Sequence, residues 1–175
     1  LLFLLNEWKK ISDAKLLVLI VNHNLRAESL FEAISVQKYL INKKIKSKIL
    51  SVSKNNIKKK NMNEARVNRY NLLTDYCKKN NILHLFTAHH KNDDIETFLN
   101  RKVACSDFDG LKSMAFCTSI NKINIIRPLI KFSKKQIIEY NVLNNIKFIL
   151  DPSNLDTKYT RPSIRKFYKL HQKKI

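Results

Sequence analysis

Glycine is nearly missing from this chain: of 175 residues, only Gly110 is a glycine. A loop that cradles phosphate ordinarily needs several glycines, which accept positive φ and let backbone N–H groups come close to the anion. No stretch here can form such a loop, so a phosphate loop is either outside this chain or built in another way. Acidic residues are scarce too, 14 against 34 lysines and arginines, which leaves a formal charge of +20 at pH 7. That excess points to a polyanionic partner, nucleic acid first. The abundance of Lys, Asn and Ile offers a competing, purely compositional explanation.

Cysteine is rare and badly spaced for bonding. Cys77, Cys105 and Cys117 are odd in number and include no C-x-x-C pair, which argues against a disulfide scaffold or structural zinc and suits a reducing compartment. The expected location is the cytoplasm, or the interior of an organelle. Long hydrophobic runs are also lacking. The opening LLFLL stops at Asn6 and Glu7, too short for a signal peptide or a membrane span, so no membrane is expected. It reads as the middle of an amphipathic helix whose beginning lies upstream.

What is present suffices for one domain with a real core, since 44% of the residues are hydrophobic. Leu1 to Ile11 reads as a helix, and Lys15 to Val21 as a buried strand of the parallel kind. Glu28 to Ile41 has helical spacing, and Ile45 to Val52 alternates as a second strand. A basic loop, Ser53 to Asn61, precedes a helix over Met62 to Lys79. The run from Leu83 is a third strand, followed by a helix from Asp93 to about Val103 that Asn92 or Asp93 can cap. An irregular stretch around Asp107 to Ser113 leads to a strand at Ile123 to Ile126. Ser133 caps a helix to about Leu143, and a polar, basic tail begins at Asp151. Alternating strands and helices imply a doubly wound, mainly parallel α/β sheet with helices on both faces. Residues 1–150 form the domain, and 151–175 a basic extension of it. The strand exits, Asn22-His23, Ser51 to Ser53 and His89 to Asp93, gather on one edge.

His89, His90, Asp93, Asp94 and Glu96 are candidates for metal or acid–base work, and ordinary capping of a helix start explains the same residues. Zinc is disfavoured, because no third and fourth ligand stands at a recognisable spacing. His23 and Arg26 are placed to meet phosphate or a purine; equally, they are the polar end of a buried strand. Arg66 and Arg69 share a helix face, as a weak RNA patch or a solvated surface. Asn154, Arg161 and Arg165 follow or lie within a turn-rich loop, where arginine can grip phosphate in bidentate fashion.

These pieces stand in a telling order. V-D-H-G-L-R-x-x-S matches Val21 to Ser29, and E-A-x-x-x-R-Y matches Glu64 to Tyr70. H-H-x-D-D-x-x-E-T-x-L-x-R matches the run from His89 to Arg101. G-L-x-x-M is Gly110 to Met114, R-P-L is Arg127 to Leu129, and D-x-S-N-x-D-x-x-Y-x-R is Asp151 to Arg161. In these six motifs the chain resembles the tRNA(Ile)-lysidine synthases, a family of the N-type ATP pyrophosphatase (PP-loop) superfamily. The resemblance implies an adenine nucleotide alpha hydrolase-like fold whose first strand and S-G-G-x-D-S loop lie before Leu1.

It also implies a ligase. ATP, with Mg²⁺, would adenylate C2 of the wobble cytidine in a CAU-anticodon isoleucine tRNA, and free L-lysine would displace AMP to leave lysidine. On this reading Asp93 is the catalytic and metal-binding acid, supported by His90 and Arg101. His23, Arg26 and Glu96 would hold the nucleotide, and Arg66, Arg69, Arg127, Asn154, Arg161 and Arg165 would contact RNA or phosphate. The oligomeric state is left open, a homodimer included. The alternatives are a catalytically silent RNA-binding remnant and, lower, a sibling PP-loop tRNA thiolase, for which the cysteine pairs are wanting. The chain departs from the family pattern at Asn22 and Asn92, where the family has Asp, and at Asn24, where it has Gly. Ala104 to Asp107 replaces R-G-S-G, and Pro162-Ser163 replaces Asn-Arg.

Overall fold

The computed structural model describes residues 1–24, 28–53, 62–107 and 111–146. Its elements run α1 (Leu2–Ile11), β1 (Val18–Asn22), α2 (Ser29–Asn42), β2 (Ser47–Ser51), α3 (Met62–Lys79), β3 (His84–Phe86), α4 (Lys91–Val103), β4 (Cys117–Ile120), β5 (Ile123–Ile126) and α5 (Lys134–Leu143). The chain divides into two compact units, Leu1–Leu85 with Ser119–Ile125, and Phe86–Thr118 with Ile126–Ile175.

In the first unit β1 and β2 pair in parallel, from Val18 opposite Ser47 to Asn22 opposite Ser51. Parallel neighbours need a crossover, and α2 supplies it, packing back on both strands. Ala33 and Leu40, two turns apart on α2, are its buried residues. A second cluster joins Tyr70 and Cys77 of α3 to Ile123 and Ile125 of β5, with Leu19, Ile82, Leu85 and Ile120 packed against them. Burial pushes the Cys77 thiol pKa up, which keeps it inert.

The other described strands form a sheet of order β3-β5-β4. The Asn124 N–H donates to Leu83 O and the Thr87 N–H to Ile126 O; both bonds advance in one direction, so β3 and β5 run parallel. β4 and β5 are neighbours joined by two residues, Asn121 and Lys122, with φ of 52° and 65°. Positive φ at both positions is the hairpin turn whose twist suits antiparallel strands. The sequence reading had no strand at Cys117–Ile120. The usual Asn-Gly signal is muted here because lysine stands where glycine would.

The same substitution recurs at helix ends. Seven described residues have positive φ, and none is glycine. Lys44, Asn81, Cys105 and Asn145 each follow a helix in this conformation, with φ between 51° and 56°. In each case the next N–H reaches back five residues: Ile45 to Leu40 O, Ile82 to Cys77 O, Ser106 to Arg101 O and Ile146 to Asn141 O. These are Schellman closures, which satisfy carbonyls the helix leaves open. Cys105 stands where the family pattern has glycine, so the backbone demand has stayed while the residue changed.

At helix starts the structure corrects the expected cap. The helix expected from Asp93 begins at Lys91, and its N-cap is His90 rather than Asn92 or Asp93. His90 Nδ1 accepts the Asp93 N–H at 3.3 Å, and Asp93 Oδ2 accepts the His90 N–H at 3.0 Å. This is a capping box with histidine in the place usually taken by Ser or Thr. At α5 the expected Ser133 cap is present, boxed with Gln136. No helix of the described residues is long and apolar enough to cross a membrane.

A left-handed conformation costs an L-residue about 1–2 kcal/mol, and glycine loses more chain entropy in exchange. Cys105→Gly is therefore expected to raise stability by roughly 0.5–1 kcal/mol. An unchanged or lower urea midpoint would contradict this.

Candidate functional site

In the first unit the exits of β1 and β2 are knitted together by amides. Asn22, only 2% exposed, donates through Nδ2 to Asn24 Oδ1 at 2.8 Å and reaches Ser51 Oγ at 3.5 Å. Its Oδ1 accepts the Asn24 N–H at 3.0 Å, while Asn24 Nδ2 donates to Val52 O at 2.6 Å. Asn24 has φ of 54°. The two departures from the family pattern thus explain one another. Position 24 keeps a glycine-like backbone, which asparagine tolerates best among the side-chain-bearing residues. Its side-chain carbonyl then needs a donor, which Asn22 supplies and an ionised aspartate could not.

His23 lies between these two asparagines in the chain. Burial lowers its pKa from the ordinary value, and the positive charge of Arg69 lowers it further. The end of β1 and the surface of α3 thus bring His23 within the electrostatic reach of Arg69. The Arg66 and Arg69 guanidinium carbons lie 5.3 and 5.4 Å from the centre of the Tyr70 ring. Cation–π contact with one ring holds both heads on the α3 surface. The first unit therefore presents a histidine held toward its neutral form and two arginines.

In the second unit the start of α4 carries the other candidates. Because His90 Nδ1 accepts a hydrogen bond, its ring proton sits on Nε2, which is left as a donor. His89 Nδ1 lies 2.9 Å from Thr87 Oγ1. Asp93 uses Oδ2 in the capping box, leaving Oδ1 outside it. Asn92 Oδ1 accepts the Lys134 N–H at 2.8 Å, so the amide at a family aspartate position caps the neighbouring helix α5. Asp94 accepts from Ser113 Oγ and, at 2.6 Å, from the Met114 N–H.

Three further candidates are bonded or buried within the second unit. Arg127 is 6% exposed, and its Nη1 donates to Ala115 O at 2.9 Å and Thr118 Oγ1 at 3.0 Å. Its own N–H bonds Phe116 O at 2.8 Å. It is an internal strut for the segment entering β4, and burial withholds it from RNA. Arg101 donates through Nη1 to Lys112 O at 3.0 Å, holding the start of the same segment. Glu96 is buried, at 7% exposure. Arg26, Asn154, Arg161 and Arg165 lie outside the described residues. Sequence reasoning missed the bracing of residues 112–118 by Asp94, Arg101 and Arg127. Their spacing gives no cue, because the bonds join turns of chain far apart in sequence.

Two outcomes follow. An unfolded histidine takes its proton near pH 6.5, whereas folded His23 resists it. Its contribution to stability is present in full above that pH and is lost as pH falls toward the lowered folded value. His23→Gln should flatten the acid side of a melting-temperature profile between pH 7 and 5; an unaltered slope would exclude His23 as its source. Arg127→Lys keeps the charge but loses the guanidinium fork, and should cost about 1–3 kcal/mol in denaturant unfolding. A phosphate-contacting arginine on the surface would instead leave stability unchanged.

Comparisons with known proteins bear on the family and the fold. A model of the PP-loop domain family matches residues 1–171. The chain is 44% identical over 173 residues to the tRNA(Ile)-lysidine synthase of Wolbachia pipientis wMel, covering 97% of this chain and 40% of that protein. For the enzyme of the same name from Orientia tsutsugamushi (strain Boryong) the identity is 36% over 169 residues, covering 97% and 38%. For that of Rickettsia bellii (strain OSU 85-389) it is 40% over 165 residues, covering 94% and 38%. The chain thus spans 38–40% of the length of these relatives. Among solved structures it resembles the U34-tRNA thiolase NcsA from Methanococcus maripaludis with its 4Fe-4S cluster, at a TM-score of 0.78 and 18% identity, over 98% of this chain and 61% of that one. At that identity the likeness speaks for the fold. With the sequence motifs, the parallel strand pairs and a family match over nearly its whole length, this chain belongs to the PP-loop domain family.

Proposed function

We propose that this chain is the ATP-using part of a tRNA(Ile)-lysidine synthase, which joins the ε-amine of lysine to C2 of the wobble cytidine in a CAU-anticodon isoleucine tRNA. The observation that carries the reading is the 44% identity to the Wolbachia enzyme across 97% of the chain. In the first step the C2 oxygen of cytidine takes AMP from ATP and pyrophosphate leaves. In the second, the lysine amine attacks C2 and AMP departs with that oxygen, a far better leaving group than the oxygen alone.

The chain's own residues suit these demands. An attacking amine must first be neutral, so a carboxylate that accepts its proton is needed nearby. Asp93 is the candidate, since the capping box fixes Oδ2 on the His90 N–H and leaves Oδ1 outside the box. His90 offers its Nε2 proton to a developing negative oxygen. His23, Arg66 and Arg69 supply the donors and positive charge that phosphate favours.

Mg²⁺ is the natural companion of ATP. Among the described residues no group of three or more His, Cys, Asp or Glu is arranged to hold a metal ion. Mg²⁺ on a nucleotide usually takes one or two carboxylates and completes its shell with phosphate oxygens and water, so Asp93 alone suits it. Bound there, the ion would offset phosphate charge.

The full-length protein, given ATP, labelled lysine and a CAU-anticodon tRNA, should place lysine and not sulfur in the RNA. Asp93→Asn retains an oxygen for the His90 N–H but loses the charge. It is expected to slow the reaction about 100-fold or more while tRNA binding survives. Absence of lysine incorporation by the wild type would remove the assignment, and an undiminished Asp93→Asn rate would remove Asp93 from it.

A further inference from the structure

A second basic surface, apart from the candidate site residues, is built where α4 and α5 begin. The Lys91 N–H donates to Phe132 O at 2.9 Å, and Asn92 Oδ1 accepts the Lys134 N–H at 2.8 Å. These two bonds bring Lys91 beside the run Lys131-Phe132-Ser133-Lys134-Lys135. All four lysines are exposed, and Phe132 shows 50% of its surface. The acids nearest in the chain, Asp93, Asp94 and Glu139, are outnumbered by the four lysines. Asp93 and Asp94 are turned to internal hydrogen bonds, and Glu139 meets Lys135 only as an exposed pair at 3.8 Å, a contact worth little.

The placing of these lysines is the informative part. Lys91 is the first residue of α4, and Lys134 and Lys135 are the first two of α5, whose opening turn holds no acid. Cations at a helix start oppose the helix dipole and weaken the helix. Folding alone therefore disfavours charge here, and both starts are already capped by their boxes. The half-exposed Phe132 ring lies among these charges and offers a face on which a planar group can stack.

We propose that this surface binds single-stranded RNA next to the reacting nucleotide: Lys91, Lys131, Lys134 and Lys135 hold backbone phosphates, and a base stacks on Phe132. Phosphate-tracking lysines around an exposed aromatic face are how proteins hold unpaired strands. The occupant follows from charge complementarity and from the ring together, since an acidic peptide would use the first and not the second. The inference rests on the reading of the chain as a tRNA-modifying enzyme, whose target base lies in an unpaired loop.

The test measures binding of the full-length protein to a fluorescein-labelled anticodon stem–loop with a CAU anticodon, across a range of salt concentrations. Replacing Lys131, Lys134 and Lys135 together by Gln should weaken binding about tenfold or more and reduce the salt slope by roughly 2, near 0.7 for each single-strand phosphate contact. The same triple variant should melt at the same or a higher temperature. Phe132→Leu, which keeps apolar bulk but not the ring, should cost about fivefold or more with the salt slope unchanged. A lower melting temperature in the triple variant would assign the lysines to the fold and overturn the proposal. So would an unaltered salt slope, or equal RNA binding by Phe132→Leu. Competition by poly-L-glutamate as effective as by unlabelled RNA would show a surface for any polyanion, and overturn it also. The outcome is separable from the lysine assay. Incorporation with unchanged stem–loop binding by the variants leaves the enzyme standing without this surface, and the converse leaves the surface without the enzyme.

Discussion

The constraint on which much of the local structure depends is the left-handed backbone corner, met here without glycine. Helices must close their last carbonyls, hairpins must reverse, and β1 must turn sharply as it ends. Each of those manoeuvres passes through positive φ, where a Cβ is resisted. Four of the seven residues that do so are asparagines: Asn24, Asn81, Asn121 and Asn145. Asparagine accepts the conformation more readily than other side chains because its short amide bonds locally. The lysine- and asparagine-rich composition is thus not spread evenly. Its asparagines stand where glycine would be easiest, and their amides become new partners that the rest of the structure must satisfy.

Asn22 and Asn24 show the consequence at a functional position. An asparagine at the turn introduces a carbonyl and an amide where glycine had neither. The carbonyl meets Asn22 Nδ2 and the amide meets Val52 O. Buried polar groups left unpaired cost about 1–3 kcal/mol each, so a change at one position requires an answer at the other. Taken singly, the two substitutions resemble losses of a family's working residues. Taken as a pair, they form a closed hydrogen-bonded loop that fixes His23 between them. Asn92 follows the same logic in the second unit, where its carbonyl takes the first N–H of α5 beside the Ser133 cap.

The strand–helix alternation was legible from the sequence because hydrophobic period is local, and α3 and β5 agree with the expectation to the residue. The α5 start was legible because Ser133-x-x-Gln136 spells a capping box. His90-x-x-Asp93 spells one too, but only when histidine is allowed as an acceptor, so the α4 start was placed two residues late. β4 went unseen because its four residues carry little apolar pattern and its turn lacks glycine. Among the site residues, His23 with Arg69 and His90 with Asp93 were legible as candidates. Arg127 was read as a ligand contact because its charge was visible and its burial was not, and Arg101 because its bond to the Lys112 carbonyl joins separate parts of the chain. A motif marks a position that matters; it does not say whether the residue meets substrate or braces a loop.

That distinction sorts the charge of the second unit. Four successive residues at the start of α4 each make a bond that fixes this end of the helix or the chain beside it. Lys91 bonds Phe132, Asn92 bonds Lys134, Asp93 boxes with His90, and Asp94 holds Ser113 and Met114. Oxygens of both acids and of the amide accept bonds within the protein, and Nη1 of Arg101 and of Arg127 donates to carbonyls of the segment entering β4. Lysine side chains cannot bond in a planar fork and are left at the surface. Negative groups there are oriented by hydrogen bonds within the protein, while the lysine heads stay at the surface where a partner can reach them.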